Sequence, residues 1–389
     1  MTNIKYTYDA CTPTRSVYIH WPFCPYKCNF CPFVALASHD QFMSRYHVSL
    51  CREIELFARH STMKLPLDTV FMGGGTPSTY PNDLLLDMVG ILKEACVVTS
   101  TTEITIEVNP GTVTPERLHL WKELGINRLS IGVQSLKDSL LKTLNRHQSA
   151  ADVYYVLDQA RTLFDNMSID LIVGLPTVTN DEWKDLLREV VTWPIKHISI
   201  YFLTIHENTP LYFRVQEKKV TLPYDDDVID LYYWSRDFLA EHGIYQYEIS
   251  NFARPGYESR HNQAYWQRTP YKGFGLGACS FDGTVRFQNE KNLMKYMDGV
   301  EKAEDITIYA EALSAEQIRM EKIMLGIRQT QGVIYADIVQ GLSDEGKDRV
   351  RQKVDMLAAQ GFVTQENGRL KLTTRGLSVE HEIATQLSL

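Results

Sequence analysis

The segment Ser16–Phe33, SVYIHWPFCPYKCNFCPF, joins a β-branched run to a loop that carries three cysteines, Cys24, Cys28 and Cys31. The run Val17–Trp21 reads as a strand, so the thiols sit just past a strand end. Such a loop suits a disulfide knot, a zinc knuckle, buried thiols or a cluster cradle. Structural zinc takes four Cys or His ligands. No second cysteine pair lies nearby, and His20 sits on the strand, four residues before Cys24. A disulfide would leave one thiol over, and a cytosol would reduce an exposed bridge. Three thiolates suit a [4Fe–4S] cluster with one iron left open. An open metal position invites an external ligand.

The same rhythm continues outward along the chain. Strands are expected at Val17–Trp21, Thr69–Met72, Glu103–Val108, Arg128–Val133, Ser168–Val173 and His197–Leu203. Helices are expected over Asp40–Arg59, Pro81–Cys96, Pro115–Leu124, Asp152–Phe164 and Asp181–Val191. Repeated strand, turn and helix builds an α/β fold around a parallel sheet. Six units suit an open, partial (β/α)6 barrel better than a closed one of eight. In such a barrel, chemistry gathers at the C-terminal strand ends. Those ends read HWPFC, FMGGGTPS, IEVNPGT, IGVQS, DLIVGLP and IYFLTIH. Strands that only pack need neither these glycines nor these polar groups.

With 389 residues, the chain has room for one large domain and a smaller one. A net charge of −8 argues against general nucleic-acid binding, which needs a basic face. No apolar run approaches the ~18 residues of a membrane span. The opening MTNIKYTYDACTPTR lacks the apolar region of a secretory signal, so a cytoplasmic protein is expected. Clustered cysteines in such a chain point to metal or redox chemistry. Cys11, Cys51, Cys96 and Cys279 are scattered and read as buried or free thiols.

Past about residue 205 the rhythm loosens. DDDVIDLYYWSRDFLAEHG reads as a helix ending at Gly243, YQYEISNFA as a strand, and YKGFGLGACSF as a close backbone approach. Two helical patterns, Ala315–Thr330 and Glu345–Ala359, then precede a hairpin turning at Asn367-Gly368. Three parts are expected: a barrel core over 1–205, an extension over 206–313 and a small helical, winged-helix-like domain over 314–389. That last segment has no basic recognition helix, which favours packing or a lid over nucleic-acid binding.

The spacing C-x3-C-x2-C after the first strand of a (β/α) barrel resembles the radical S-adenosylmethionine (SAM) superfamily. The resemblance implies that Cys24, Cys28 and Cys31 hold a [4Fe–4S] cluster. It implies that the amino and carboxylate groups of SAM chelate the open iron, and that the cluster's electron cleaves SAM to a 5′-deoxyadenosyl radical. Gly74, Gly75 and Thr76 fall in GGGTP, similar to the glycine motif that grips the SAM amino group. Tyr18, Phe30, Glu107, Gln134, Arg146 and Asp170 match the SAM contacts of one branch, the oxygen-independent coproporphyrinogen III oxidase-like proteins. YIHWPFC, FMGGGTPS, NRLSIGVQS, DLIVGLP and YEISNFARPG carry that likeness along nearly the whole chain.

Oxidases of that branch have a longer N-terminal arm and a further cysteine two positions after the third. Here 23 residues precede Cys24, and Phe33 stands at that position. The sequence is more similar to the heme chaperone HemW group, marked by H-N-x-x-Y-W. That motif is HNQAYW here, with His261, Asn262, Tyr265 and Trp266. The resemblance implies heme contact by this motif, with His261 as axial ligand. It also implies heme transfer to an acceptor protein and an electron donor for the cluster. A structural corner around a hydrogen-bonded histidine is the plainer reading of the same residues. The alternative function is a radical SAM enzyme that decarboxylates coproporphyrinogen III, or a related methyltransferase. No single residue is assigned as catalytic.

Overall fold

A computed structural model describes residues 12–60 and 65–388, so Cys11 lies outside the described residues. Six strands run parallel in chain order: β1 (Ser16–Trp21), β2 (Thr69–Gly74), β3 (Glu103–Val108), β4 (Arg128–Gln134), β5 (Asn166–Val173) and β6 (His197–Phe202). Most positions on these strands are buried on both faces, as a sheet covered by crossover helices requires. The crossovers are α1 (Met43–His60), α2 (Asn82–Ala95), α3 (Pro115–Glu123), α4 (Asp138–Thr143), α5 (Ala150–Ala160) and α6 (Asn180–Val190). Capping boxes at Ser149/Asp152 and Thr179/Glu182 fix where α5 and α6 begin. The six-unit open barrel expected from the sequence is thus the architecture seen.

Past residue 205 the same sheet goes on. After α7 (Pro210–Gln216) and α8 (Asp225–Glu241) comes β7 (Asn251–Ala253), antiparallel to β6. After α9 (Arg260–Trp266), β8 (Tyr271–Phe274) pairs parallel with β1. Then β9 (Cys279–Phe281), β10 (Val285–Asn289) and β11 (Thr307–Ala312) extend that edge, and with the short strand Tyr245–Gln246 beside β7 the sheet has 12 strands. Gly273 explains the close approach read from the sequence: a Cβ there would lie 2.1 Å from the Cys279 carbonyl oxygen.

The stretch YQYEISNFA is not one strand. Tyr245 and Gln246 pair back on Ala253 and Phe252, and the turn between them is built by Glu248. That buried carboxylate accepts from Ser250 N at 2.8 Å and is held by Arg328 at 2.9 Å.

The C-terminal segment has its own apolar cluster, including Ile323, Val350, Val363, Leu370 and Ile383. It comes from α10 (Ala315–Ile327), β12 (Val333–Ile334), α11 (Asp344–Ala359), β13 (Val363–Glu366), β14 (Arg369–Leu372) and α12 (Glu380–Ser388). The hairpin turns where expected, with φ of 50° at Asn367 and 74° at Gly368, the pair a tight hairpin demands.

Candidate functional site

The cysteine loop leaves β1 and is stitched to the loop after β2. Gly75 N donates to the Trp21 carbonyl at 2.7 Å, and Thr76 N to that of Phe23 at 2.9 Å. The Thr76 hydroxyl donates to Cys24 Sγ at 3.2 Å. The glycines of GGGTP therefore serve the protein's own backbone first. A Cβ on Gly75 would lie 2.5 Å from the Pro22 oxygen and 2.8 Å from that of Phe23. Gly75→Ala should cost roughly 1–3 kcal/mol, the usual range for overpacking, measured by urea unfolding. The variant should also hold less iron, because the loop must shift.

From the other side, Arg146 clamps the loop to β4. Its Nη2 donates to the Gly132 carbonyl at 2.6 Å, Nε to Gln148 Oε1 at 2.9 Å, and Nη1 lies 3.6 Å from Cys28 Sγ. β4 ends in a bulge between Gly132 and Gln134, with Gln134 at a φ of 65°. A bulge re-aims a side chain, and left-handed backbone at a non-glycine residue is typical of functional sites. Here it brings Gln134 to the barrel mouth.

One cavity of about 420 Å³ at that mouth is lined by Cys24, Cys28, Cys31, Phe30, Gly74, Gly75, Thr76, Glu107, Gln134, Arg146 and Asp170. The structure brings these expected residues together from all of β1–β5 and their loops. Phe33, noted in the sequence for its lack of a thiol, borders the cavity too, as do residues not named there as ligand contacts, among them Lys27, Tyr201 and Phe202. The signal for two of them was present: the strand end IYFLTIH carries Tyr201 and Phe202 to the mouth.

Burial pushes the Cys24 thiol up to about 11 and raises Cys31 as well. A metal must therefore displace these protons, which couples its binding to pH. Burial, with Asp170 next, pushes Glu107 up to about 8 while Gly74 N donates to it at 3.0 Å. Asp170 is also raised, again mainly by burial. Three sulfur donors with hydrogen-bond donors behind two of them fit an iron–sulfur cluster. The amide and carboxyl groups across the cavity fit an amino- and hydroxyl-bearing ligand beside it.

The remaining expected residues lie deeper. Tyr18, His261, Asn262 and Tyr265 line a second cavity of about 210 Å³ below the first, and Glu107, Ser130, Asp170 and Tyr201 border both. Tyr18 thus sits beneath the mouth, its hydroxyl 2.9 Å from His20 Nδ1. The motif HNQAYW lies in α9, at the N-terminal ends of the strands, opposite the cysteine loop. The backbone N–H groups of Arg260 and His261 donate to Glu103, the first residue of β3. The His261 ring bonds Thr69 Oγ1 at 2.7 Å through Nδ1 and the Tyr265 hydroxyl at 2.9 Å through Nε2. Burial pushes this histidine down to about 3, so it stays neutral. His261 was expected as an axial heme ligand. In this structure both ring nitrogens are hydrogen-bonded within the protein. Trp266 borders neither cavity, and the Arg328 guanidinium stacks 4.2 Å from its ring centre.

Of the other described thiols, Cys51 and Cys96 are buried and Cys279 is exposed, and none of the three forms a disulfide. No helix among the described residues is long and apolar enough to cross a membrane.

Comparison with known proteins agrees with this geometry. Residues 18–190 match the Radical SAM superfamily, and residues 313–379 match the HemN C-terminal domain. A heme chaperone HemW from Synechocystis is 36% identical over 335 residues, covering 84% of this chain and 80% of that one. Another from Bacillus subtilis is 32% identical over 373 residues, covering 95% and 98%. A mouse relative, radical S-adenosyl methionine domain-containing protein 1, mitochondrial, is 29% identical over 384 residues, 95% of this chain and 86% of that one. Among solved structures, coproporphyrinogen III oxidase (HemN) from Escherichia coli superposes with a TM-score of 0.83 at 24% identity, covering 97% and 91%, and so shares the fold. With a three-cysteine loop at the mouth of a partial barrel and relatives matched along nearly its full length, the chain belongs to the radical SAM superfamily and, within it, to the HemW family.

Proposed function

We propose that this protein is a heme chaperone: it binds heme and passes it to an acceptor protein, on a scaffold that carries a [4Fe–4S] cluster and SAM. The observation that carries this reading is end-to-end similarity to heme chaperones, with Phe33 where the oxidases of the branch place a further cysteine. Cys24, Cys28 and Cys31 hold the cluster in this proposal. Phe30, Gly74, Gly75, Thr76, Glu107, Gln134, Arg146 and Asp170 surround SAM, and Tyr18 supports them from below.

When bound, the cluster supplies single-electron chemistry to SAM on its open iron. The protein's part is to hold and shield. Thr76 and Arg146 place N–H or O–H donors against two thiols, which favours the ligating thiolates. Arg146 spends its other nitrogens on Gly132 and Gln148, so it orients the loop as well as facing the ligand. Glu107 and Asp170 offer carboxyl oxygens to hydroxyl or amino groups.

Anaerobically reconstituted protein should bind heme in a titration followed at the Soret band, and release it to an apo-hemoprotein. Absence of any Soret change would refute the reading. Formation of protoporphyrinogen from coproporphyrinogen III, with SAM and a reductant, would support the oxidase alternative instead. We also propose that an external electron donor reaches the cluster at this mouth.

A further inference from the structure

We propose that α1 and α2 carry a second metal site, where His47, Cys51 and Asp87 bind a zinc ion. His47 and Cys51 stand four residues apart on α1, so they share one face of that helix. Asp87 reaches them from α2, which packs against α1. An imidazole nitrogen, a thiol sulfur and a carboxylate oxygen thus lie within 4.8 Å of one another. None of the three residues borders the mouth cavity, so this site is separate from that of the iron–sulfur cluster.

The surroundings of His47 are those of a ligand. Its Nδ1 meets the Tyr80 hydroxyl at 2.9 Å, and a metal-binding histidine is held in this way through its other nitrogen. Nε2 is thereby aimed at Asp87 Oδ2, 3.0 Å away. Cys51 Sγ lies beside the ring, 3.8 Å from Nε2 and 3.7 Å from Nδ1. Tetrahedral zinc, with bonds of about 2.0 Å to nitrogen or oxygen and about 2.3 Å to sulfur, holds such atoms roughly 3.3 and 3.6 Å apart. Movements of a few tenths of an ångström admit the ion. Imidazole, thiolate and carboxylate together suit zinc. The charge balances as well. Zinc displaces the Cys51 thiol proton, and its two charges are then offset by that thiolate and Asp87. Such balance is needed where His47 and Cys51 are both buried. The Asp87 side chain is 60% exposed, which gives the ion its way in and leaves a fourth position for water. The site also touches the fold that carries the cluster. Tyr80 stacks on Trp21, ring centres 3.7 Å apart, at the end of β1 just before the cysteine loop. An ion on His47 therefore fixes the packing behind that loop.

The test uses the full chain with its cluster reconstituted, so that Cys24, Cys28 and Cys31 are already occupied. A zinc salt is titrated anaerobically in competition with a fluorescent chelator. The wild type should take up one zinc per chain, and its zinc K-edge absorption should show a single sulfur at about 2.3 Å among nitrogen and oxygen neighbours. Cys51→Ser and Asp87→Ala should each weaken binding roughly tenfold or more, the scale of losses on disturbing a metal's ligand set. Asp87→Ala replaces an exposed side chain and so spares the core, and unchanged iron–sulfur absorption checks the fold of both variants. Zinc should raise the melting temperature of the wild type and leave that of the variants where it was. A wild type that takes up no zinc would overturn the proposal. So would an affinity unchanged by both substitutions, or a zinc shell with no sulfur or with several.

Discussion

Cys28→Ala, reconstituted anaerobically with iron and sulfide, loses its cluster and with it SAM. Three features make this the largest expected effect. The loop offers three thiols where a four-iron cluster with one open site needs all three. Cys28 is buried, and among the described residues the thiols outside the loop, Cys51, Cys96 and Cys279, border no part of the mouth cavity. Arg146 Nη1, 3.6 Å from its sulfur, would face an empty position. SAM affinity should fall by at least ~10–100-fold, the scale seen when a metal site loses supporting groups. Iron content, visible absorption and equilibrium SAM binding check this together. A variant that kept its iron and its SAM affinity would show that a fourth residue replaces the thiol, and the three-ligand arrangement would fall.

Much of this architecture was legible from local signals. Each of the six barrel strands lies within two residues of its expected bounds, because runs such as Glu103–Val108 are β-branched and bounded by turn residues. The Asn367-Gly368 hairpin was legible for the same reason. What stayed hidden depends on pairing between distant segments. Tyr271–Phe274 joins β1 across some 250 residues of chain, and a parallel pairing leaves no mark in either stretch. The break in YQYEISNFA comes from Glu248 folding back to meet Arg328, a partner far along the chain. The motif HNQAYW carried no sign of which barrel end it closes, and that depends on Glu103 and Thr69 at the strand starts. Tyr18 lies one layer lower than expected, because it sits mid-strand on β1, on the same face as His20 and two residues before it. Arg146 was expected only among the SAM contacts. The structure adds a holding role that only the bulge at Gly132 creates.

Glu107→Gln should make the SAM-free protein more stable than wild type in mild alkali and leave the two equal in mild acid. Burial raises Glu107 from an ordinary 4.5 to about 8, and Asp170 on β5 adds to the shift. The folded protein therefore keeps a proton that the unfolded chain releases. Its contribution is fully present below the ordinary carboxylate range and is lost as pH rises through about 8. Every unit between costs about 1.4 kcal/mol if the group is fully shielded. Glu107 borders both cavities, so water there reduces the total to about 2–3 kcal/mol. The groups facing it are Gly74 N on β2, Tyr18 on β1, Arg128 and Arg146 from β4 and its loop, Asp170 on β5 and Tyr201 on β6. Asp170, raised for the same reason, leaves a shallower slope in the variant. Glutamine keeps the acceptor for Gly74 N, so the loop geometry is retained. Urea unfolding at about pH 5 and about pH 8.5 measures the difference directly, and parallel curves at both would place Glu107 in open water. The same proton links to the ligand: the sulfonium of SAM favours the ionised carboxylate, so wild-type SAM binding should tighten as pH rises through about 8 and the variant's should not.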